Sequence, residues 1–371
     1  MRKLNMKKLY FFALIYTVAL SSGFAQKTNC TQVLRLARSQ YEQGRLHELP
    51  TLMDGCLSGQ GGSFTKEEKK EAYRLLTLAY IYLEEPEKAD ETMLALLNTD
   101  HFFEINETLD PAEFIALYNK FRNKPVFWGA FKIGLNATQP NISKSYFVGS
   151  QASGKGSYGL NPSIQLFLTF EKDILTKKFP HKGVKKGESL LSFAPEIGFV
   201  SRGLTYSNAE LAFADEDPLK AISSQEFTLS QSWLDFNAII NYKFNNSQQF
   251  KTYVGLGPGV SYLLSSNNLA KTVLGNGFTN TGSAVDDKSS YKSLIYSVTA
   301  IAGLKYKFGD LYVVADVRYQ YGLVSIVDPA KRTNPDIAYN YQGVYNDYSV
   351  NNFSINVGLA YPYFKPKKLI K

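Results

Sequence analysis

The chain has two cysteines, three histidines, two tryptophans and four methionines among 371 residues. Two cysteines allow a single intrachain disulfide and exclude a cysteine-rich metal site. His47, His101 and His181 are scattered without ligand spacing, so each reads as an exposed polar residue, and neither a metal nor a cofactor is expected. None of them falls in a strand-patterned stretch, which removes the nucleophile–histidine pair a hydrolase needs, so the protein is not expected to be an enzyme. Beyond the first residues there is no apolar run long enough for a transmembrane helix, so any later membrane span must be built from strands. The net charge is +8, but it is spread over loops and the C-terminal PKKLIK. No basic helix or stripe marks a nucleic-acid surface.

What the chain has in quantity is aromatic residues: 25 Tyr and 25 Phe, bringing aromatics to 14%. That is rich for a soluble protein and ordinary for a membrane barrel with aromatic girdles. Residues 1–26 read as a secretory signal. Arg2, Lys3, Lys7 and Lys8 precede an apolar run at 10–20, and small residues end at Ala25. The mature chain is therefore expected to leave the cytoplasm.

Residues 27–124 carry helical periodicity. Val33, Leu34, Ala37 and Tyr41 share one face, and Gly44 follows as a stop. A second helix is expected over 46–57, with Pro50 near its start. Thr65 and Glu68 have capping-box spacing ahead of a helix reaching about Glu84. Pro86 suits the first turn of another, through Leu97. A last helix opens at Pro111 and ends near Phe121. The stretches 36–57 and 76–97 align as two hairpins, matching at Leu36/Leu76, Met53/Met93 and Leu57/Leu97. The spacing of Ala37, Tyr41, Gly44 and Leu49 loosely resembles tetratricopeptide repeats, which stack to leave a partner groove; a plain helical bundle fits the same pattern. Cys30 and Cys56 fall on opposite arms of the first hairpin, and an oxidising compartment favours a bridge between them.

After Pro125 the period becomes 2. Eight segments alternate, at 127–138, 159–170, 189–206, 228–244, 250–264, 294–308, 311–323 and 349–364. In the third, Leu191, Phe193, Pro195, Ile197 and Phe199 oppose Ser192, Ala194, Glu196, Gly198 and Arg202. Each segment repeats the pattern, with large apolar residues on one side and small or charged residues on the other. Eight strands make the smallest usual outer-membrane barrel, with lipid on the apolar side and side chains filling the lumen. Lys132, Glu196, Arg202, Asp235, Asp316 and Arg318 are then the candidate lumen ion pairs, with Lys243 and Lys305 on the same face. Mutual pairing is preferred over acid–base chemistry for them. GLGPG at 255–259 reads as lumen glycines, because Pro258 and the lack of a following helix argue against a phosphate loop. Long connections at 139–158, 204–227, 265–291 and 324–348 alternate with short ones at 245–249 and 309–310. That places both barrel ends, and the helices, in the periplasm. The basic connection 171–187 is the exception to the pattern.

PEIGFVSRG, WLDFNAIINYKF and YVGLGPGVSYLL resemble the PorT-type outer-membrane β-barrels of Bacteroidetes over 127–364. The resemblance implies a barrel in the bacterial outer membrane and, from the family's namesake, a link to type IX secretion and gliding. The expected protein is α+β and multidomain: signal 1–26, periplasmic helical domain 27–124, eight-stranded antiparallel transmembrane barrel 125–364 and basic tail 365–371. Its expected partners are outer-membrane lipid and a periplasmic or outer-membrane protein. A narrow channel, or a binder of surface ligands through the long loops, is the alternative.

Overall fold

The structure is a computed structural model describing residues 27–59, 62–146, 156–176, 189–208, 222–335 and 345–369. The signal at 1–26, His181 and most of the connection 171–187 lie outside the described residues. The chain forms two units: Val126–Tyr363, and Met1–Pro125 together with Phe364–Lys371.

The second of these is helical, with α1 (Lys27–Glu42), α2 (Leu49–Ser58), α3 (Lys66–Tyr82), α4 (Pro86–Thr99) and α5 (Ala112–Tyr118). Gly44 follows α1 at φ 78°, a left-handed geometry glycine adopts without a Cβ clash. The helix expected from Leu46 begins instead at Leu49, behind a 3-10 turn over Leu46–Glu48, because Pro50 is confined to the first turn. Thr65 caps α3: its hydroxyl accepts the Glu68 amide at 3.3 Å, and the Glu68 carboxylate accepts the Thr65 amide at 2.9 Å. α1 packs on α2 and α3 on α4. Leu34, Ala37, Leu49, Met53, Leu75 and Leu76 fill one core, and Leu78, Met93, Leu96, Phe114 and Tyr118 another. Cys30 and Cys56 are bonded to each other across a sequence separation of 26. Closing a loop of that length stabilises the folded unit by about 3 kcal/mol.

Phe364 and the basic tail expected at 365–371 group with the helices. α5 stops at Tyr118 rather than near Phe121, because Phe121 leaves the helix to bridge Lys368. His101, expected to be exposed, is half-buried and stacks on the Phe364 ring; His47 is exposed.

Val126–Tyr363 contains β1 (Phe127–Lys144), β2 (Ser157–Asn161), β3 (Ser163–Thr176), β4 (Ser189–Asn208), β5 (Ile222–Asn246), β6 (Phe250–Leu274), β7 (Thr279–Thr281), β8 (Val285–Asp286), β9 (Leu294–Phe308), β10 (Leu311–Gly322) and β11 (Asp347–Tyr363). Eight of these close a ring in the order β1, β3, β4, β5, β6, β9, β10, β11 and back to β1, every pair antiparallel. β2 pairs with β4 in continuation of β3, and β7 and β8 pair with β6 outside the ring. The single segment expected at 159–170 is interrupted at Pro162, which has no N–H to donate. Across it the register against β4 shifts by one residue, from Asn161↔Gly203 to Gln165↔Val200.

Phe131, Ile133 and Leu135 on β1 and Ile355, Val357 and Leu359 on β11 all point outward and are about half exposed. In two pairs of neighbouring strands the apolar band ends on a shared rung. Leu135 pairs with Ile355, but Gln139 pairs with Asn351; Phe199 pairs with Leu234, but Ser201 pairs with Ser232. From Phe127 to Ala137 the band spans roughly the 9–11 residues a tilted strand needs to cross hydrocarbon. β5 and β6 are 25 residues each and continue past it, where a loop was expected to begin. The band thus predicts a depth-dependent penalty. Val357→Arg, at mid-band, should lower the unfolding free energy in lipid vesicles by about 2–4 kcal/mol. Gln139→Arg, beyond the band edge, should change it by less than about 1 kcal/mol. Equal effects in denaturant titrations would contradict a lipid-facing band.

Candidate functional site

The inward residues of the ring form a stack of charged layers. Near mid-height, Lys132 of β1 donates to Glu196 of β4 at 2.7 Å and to Asp316 of β10 at 3.0 Å. Arg318 Nη1 lies 2.8 Å from the second Glu196 oxygen. Thr169 donates to Glu196 at 2.9 Å, and the Asn356 amide donates to Asp316 at 2.7 Å. The Arg318 guanidinium lies 4.1 Å from the centroid of the Phe167 ring. That ring fits because residue 198 is glycine, where a Cβ would fall 2.3 Å from it.

One layer further along, Arg202 meets Asp235 at 3.0 Å, and Gln320 accepts from Arg202 at 3.1 Å while donating to Asp235 at 3.1 Å. All six candidate lumen residues are therefore buried, in two clusters: Lys132, Glu196, Asp316 and Arg318, then Arg202 with Asp235.

Sequence reasoning missed a third layer toward the end where β1 starts and β11 finishes. Glu171, taken as the first residue of a loop, is buried on β3 and pairs with Lys305 and, at 3.0 Å, with Lys243. Lys243 also reaches Asp173 at 2.5 Å. The period-2 continuation Gln165, Phe167, Thr169, Glu171, Asp173 was the signal available for it. Across the layers Lys132, Arg202, Lys243, Lys305 and Arg318 face Glu171, Asp173, Glu196, Asp235 and Asp316, one cation for each anion. Beside them remains a cavity of about 20 Å³, lined by Trp128, Lys132, Thr169, Glu171, Tyr253 and Lys305, with room for a water or two and no solute.

Toward the opposite end the lumen is not small and ionic, as the alternation suggested, but apolar. Trp233, Leu263, Ile295 and Val350 point in and are joined by Tyr291 and Ile326 from the connections. The connections are tied together by backbone bonds from Lys292 to Ile326 at 2.8 Å, Ile326 to Tyr348 at 2.9 Å and Asp328 to Ser290 at 2.9 Å. Beside this plug the buried Asp287 carboxylate accepts from Ser266 at 2.6 Å and from Tyr345 at 2.7 Å. Burial pushes its pKa above the ordinary value of 3.8, and the neighbouring Asp286 charge adds to the effect, against the two hydroxyl donors.

Ring closure, an outward apolar band and a lumen filled by ion pairs and apolar side chains together define a membrane-spanning β-barrel. Residues 128–328, more than half of the chain, match the family described as outer membrane protein beta-barrel domain; the chain belongs to that family, and the outer membrane is its place. Among solved structures it is similar to Neisserial surface protein A of Neisseria, at 14% identity over 64% of this chain and 97% of that one, TM-score 0.28. OprG from Pseudomonas aeruginosa matches at 13% identity over 64% and 96%, TM-score 0.30. Ail of Yersinia pestis matches at 12% over 63% and 99%, TM-score 0.25. A search of curated proteins finds no match.

Two predictions follow from the lumen. Arg202→Met leaves Asp235 buried without its cation and should cost about 3–5 kcal/mol in unfolding titrations. Adding Asp235→Asn should recover most of that loss, since the neutral pair leaves no charge unmatched; a double variant as unstable as the sum of the singles would argue against the pairing. The second concerns pH. Asp287 binds its proton more tightly folded than unfolded, so its contribution to plug stability is full below about pH 3.8 and is lost as pH rises through the higher folded value. Hydrogen-exchange protection of the Lys292 and Ile326 amides should therefore be greater in acid than at neutral pH, and Asp287→Asn should flatten the difference.

Proposed function

We propose that this protein is a non-enzymatic anchor of the outer membrane, a sealed barrel that holds a helical protein-binding module in the periplasm. The observation that carries the reading is the lumen. Ion pairs and an apolar plug fill it among the described residues, so transport through the barrel does not account for the fold. The connections support the orientation. The turn at Gly309–Asp310 and the bend at 247–249 are short, and they share an end with Phe127 and Tyr363; short turns are the periplasmic ones in outer-membrane barrels. On this orientation the helical unit joins the barrel from the periplasm. Its antiparallel helix pairs resemble repeats that present a partner groove. The resemblance to PorT-type barrels directs the partner search to secretion machinery of the type IX or gliding kind, or to outer-membrane assembly.

A second reading, a binder of surface ligands, is favoured by the reach of β5 and β6 beyond the apolar band, where their outward faces carry Ser230, Ser232, Ser265 and Asn267. One experiment separates the two. Cross-linking in native membranes should capture a protein partner with the intact chain and lose it when residues 27–123 are deleted, while the barrel still inserts. Retention of every partner by the deletion variant would reject the anchor. Reconstituted into planar bilayers, the intact protein should show no single-channel conductance.

A further inference from the structure

The residues after the last strand run back along the helical unit in an extended conformation. The Leu369 amide donates to the Lys120 carbonyl at 2.7 Å and the Arg122 amide to the Lys367 carbonyl at 2.9 Å, around the antiparallel bridge Phe121↔Lys368. Phe364 anchors one end of the segment. Its ring is stacked on His101, with centroids 5.3 Å apart and planes at 17°, and meets Phe102 edge-on at 5.2 Å. Lys368 anchors the other end through an ion pair with Asp90 of α4. α4 carries Glu87, Asp90 and Glu91 against the single Lys88, and the tail carries Lys365, Lys367 and Lys368, so the two have opposite net charge. Lys365, Lys367, Lys368 and Leu369 are exposed, so the segment is held by its backbone bonds, one ring and one ion pair rather than by a buried core.

These are the elements of strand-addition recognition: a backbone edge supplies affinity, and a pocket and a charge supply selection. We propose that the edge formed by His101, Phe102, the Lys120–Arg122 backbone and Asp90 is a docking site for extended, lysine-rich peptide segments that carry an aromatic residue four positions before a lysine, and that the chain's own C-terminal tail occupies it in the resting protein. The inference rests on the helical unit being a protein-binding module, and it names the chemistry of the partner. A partner segment has to displace the tail, which competes at the high effective concentration of a covalently attached ligand.

The test uses full-length protein in detergent micelles and a fluorescent peptide of sequence Phe-Lys-Pro-Lys-Lys-Leu, measured by anisotropy. A chain ending at Tyr363 should bind the peptide, and the intact chain should bind it about a hundred-fold more weakly. Asp90→Lys in the shortened chain should weaken binding at least about ten-fold, the equivalent of ~1.4 kcal/mol, and higher ionic strength should weaken it in every variant. Equal affinity in the shortened and intact chains, or no binding by a shortened chain that keeps its helical circular dichroism, would overturn the proposal. If the shortened chain loses helicity, the intact chain with Phe364→Ala and Lys368→Glu serves in its place. That variant keeps the tail attached without its two anchors, and its failure to bind the peptide would be equally decisive. Partner loss in the 27–123 deletion alongside failure here would mean that the module binds through a different face, so the two ideas fall separately.

Discussion

Eight strands fix the width of a closed ring, and that width leaves an interior which side chains must fill. A polar group facing such an interior has no bulk water to bond, so each inward charge requires a counter-charge within reach. The arrangement of Lys132 between Glu196 and Asp316, with Arg318 on the far side of Glu196, is one solution to that requirement. The same width forces size complementarity. Gly198 makes room for Phe167, and Gly303, where a Cβ would fall 2.6 Å from the Tyr253 hydroxyl, makes room for Tyr253. Glycine is needed at these positions for close approach, and the run 255–259 has the same role: a Cβ at Gly257 would fall 2.0 Å from the Ala238 carbonyl oxygen.

The outward face answers to a different solvent. Lipid accepts no hydrogen bonds, so the strands satisfy their backbone groups around the ring, and the large side chains that meet hydrocarbon are Leu, Ile, Val, Phe and Tyr. Where the band stops, the strands do not. β4, β5 and β6 go on pairing with Ser, Thr and Asn on their outer faces, as in Thr205↔Thr228 and Ser230↔Asn267. Inside that extension the apolar plug takes over from the ion pairs. Tyr291 and Ile326 can reach it because the connections fold inward and bond to one another.

The alternation within the band was legible because lipid and lumen impose opposite demands on successive residues. The ring, its strand faces and the burial of the six charged lumen residues all follow from it. Strand ends were not legible for the same reason. Beyond the band a polar outer face carries no cost, so 139–144 and 265–274 read as loop although they are strand. Glu171 was lost to that effect at the other end, where a charged run after Phe170 looked like a turn. The pairing partners were unreadable in a stronger sense: Lys132 and Asp316 are 184 residues apart and become neighbours only through closure of the ring. Trp233 and Leu263 were on the inward face by parity, but parity does not reveal that apolar residues gather at one level.

Closure has a further consequence for the ends of the chain. A sheet that closes with an even number of antiparallel strands makes its first and last strands neighbours and brings both of their free ends to one side. Phe127 pairs with Tyr363, and the Val126 amide bonds to the Tyr363 carbonyl at 2.8 Å. The segment that enters the barrel and the segment that leaves it therefore start from one place. An open sheet of the same strands would leave those ends at opposite edges. The return of Phe364–Leu369 to the unit containing Lys120 and Arg122 is thus a product of barrel topology as much as of the aromatic and charged residues that hold the tail there.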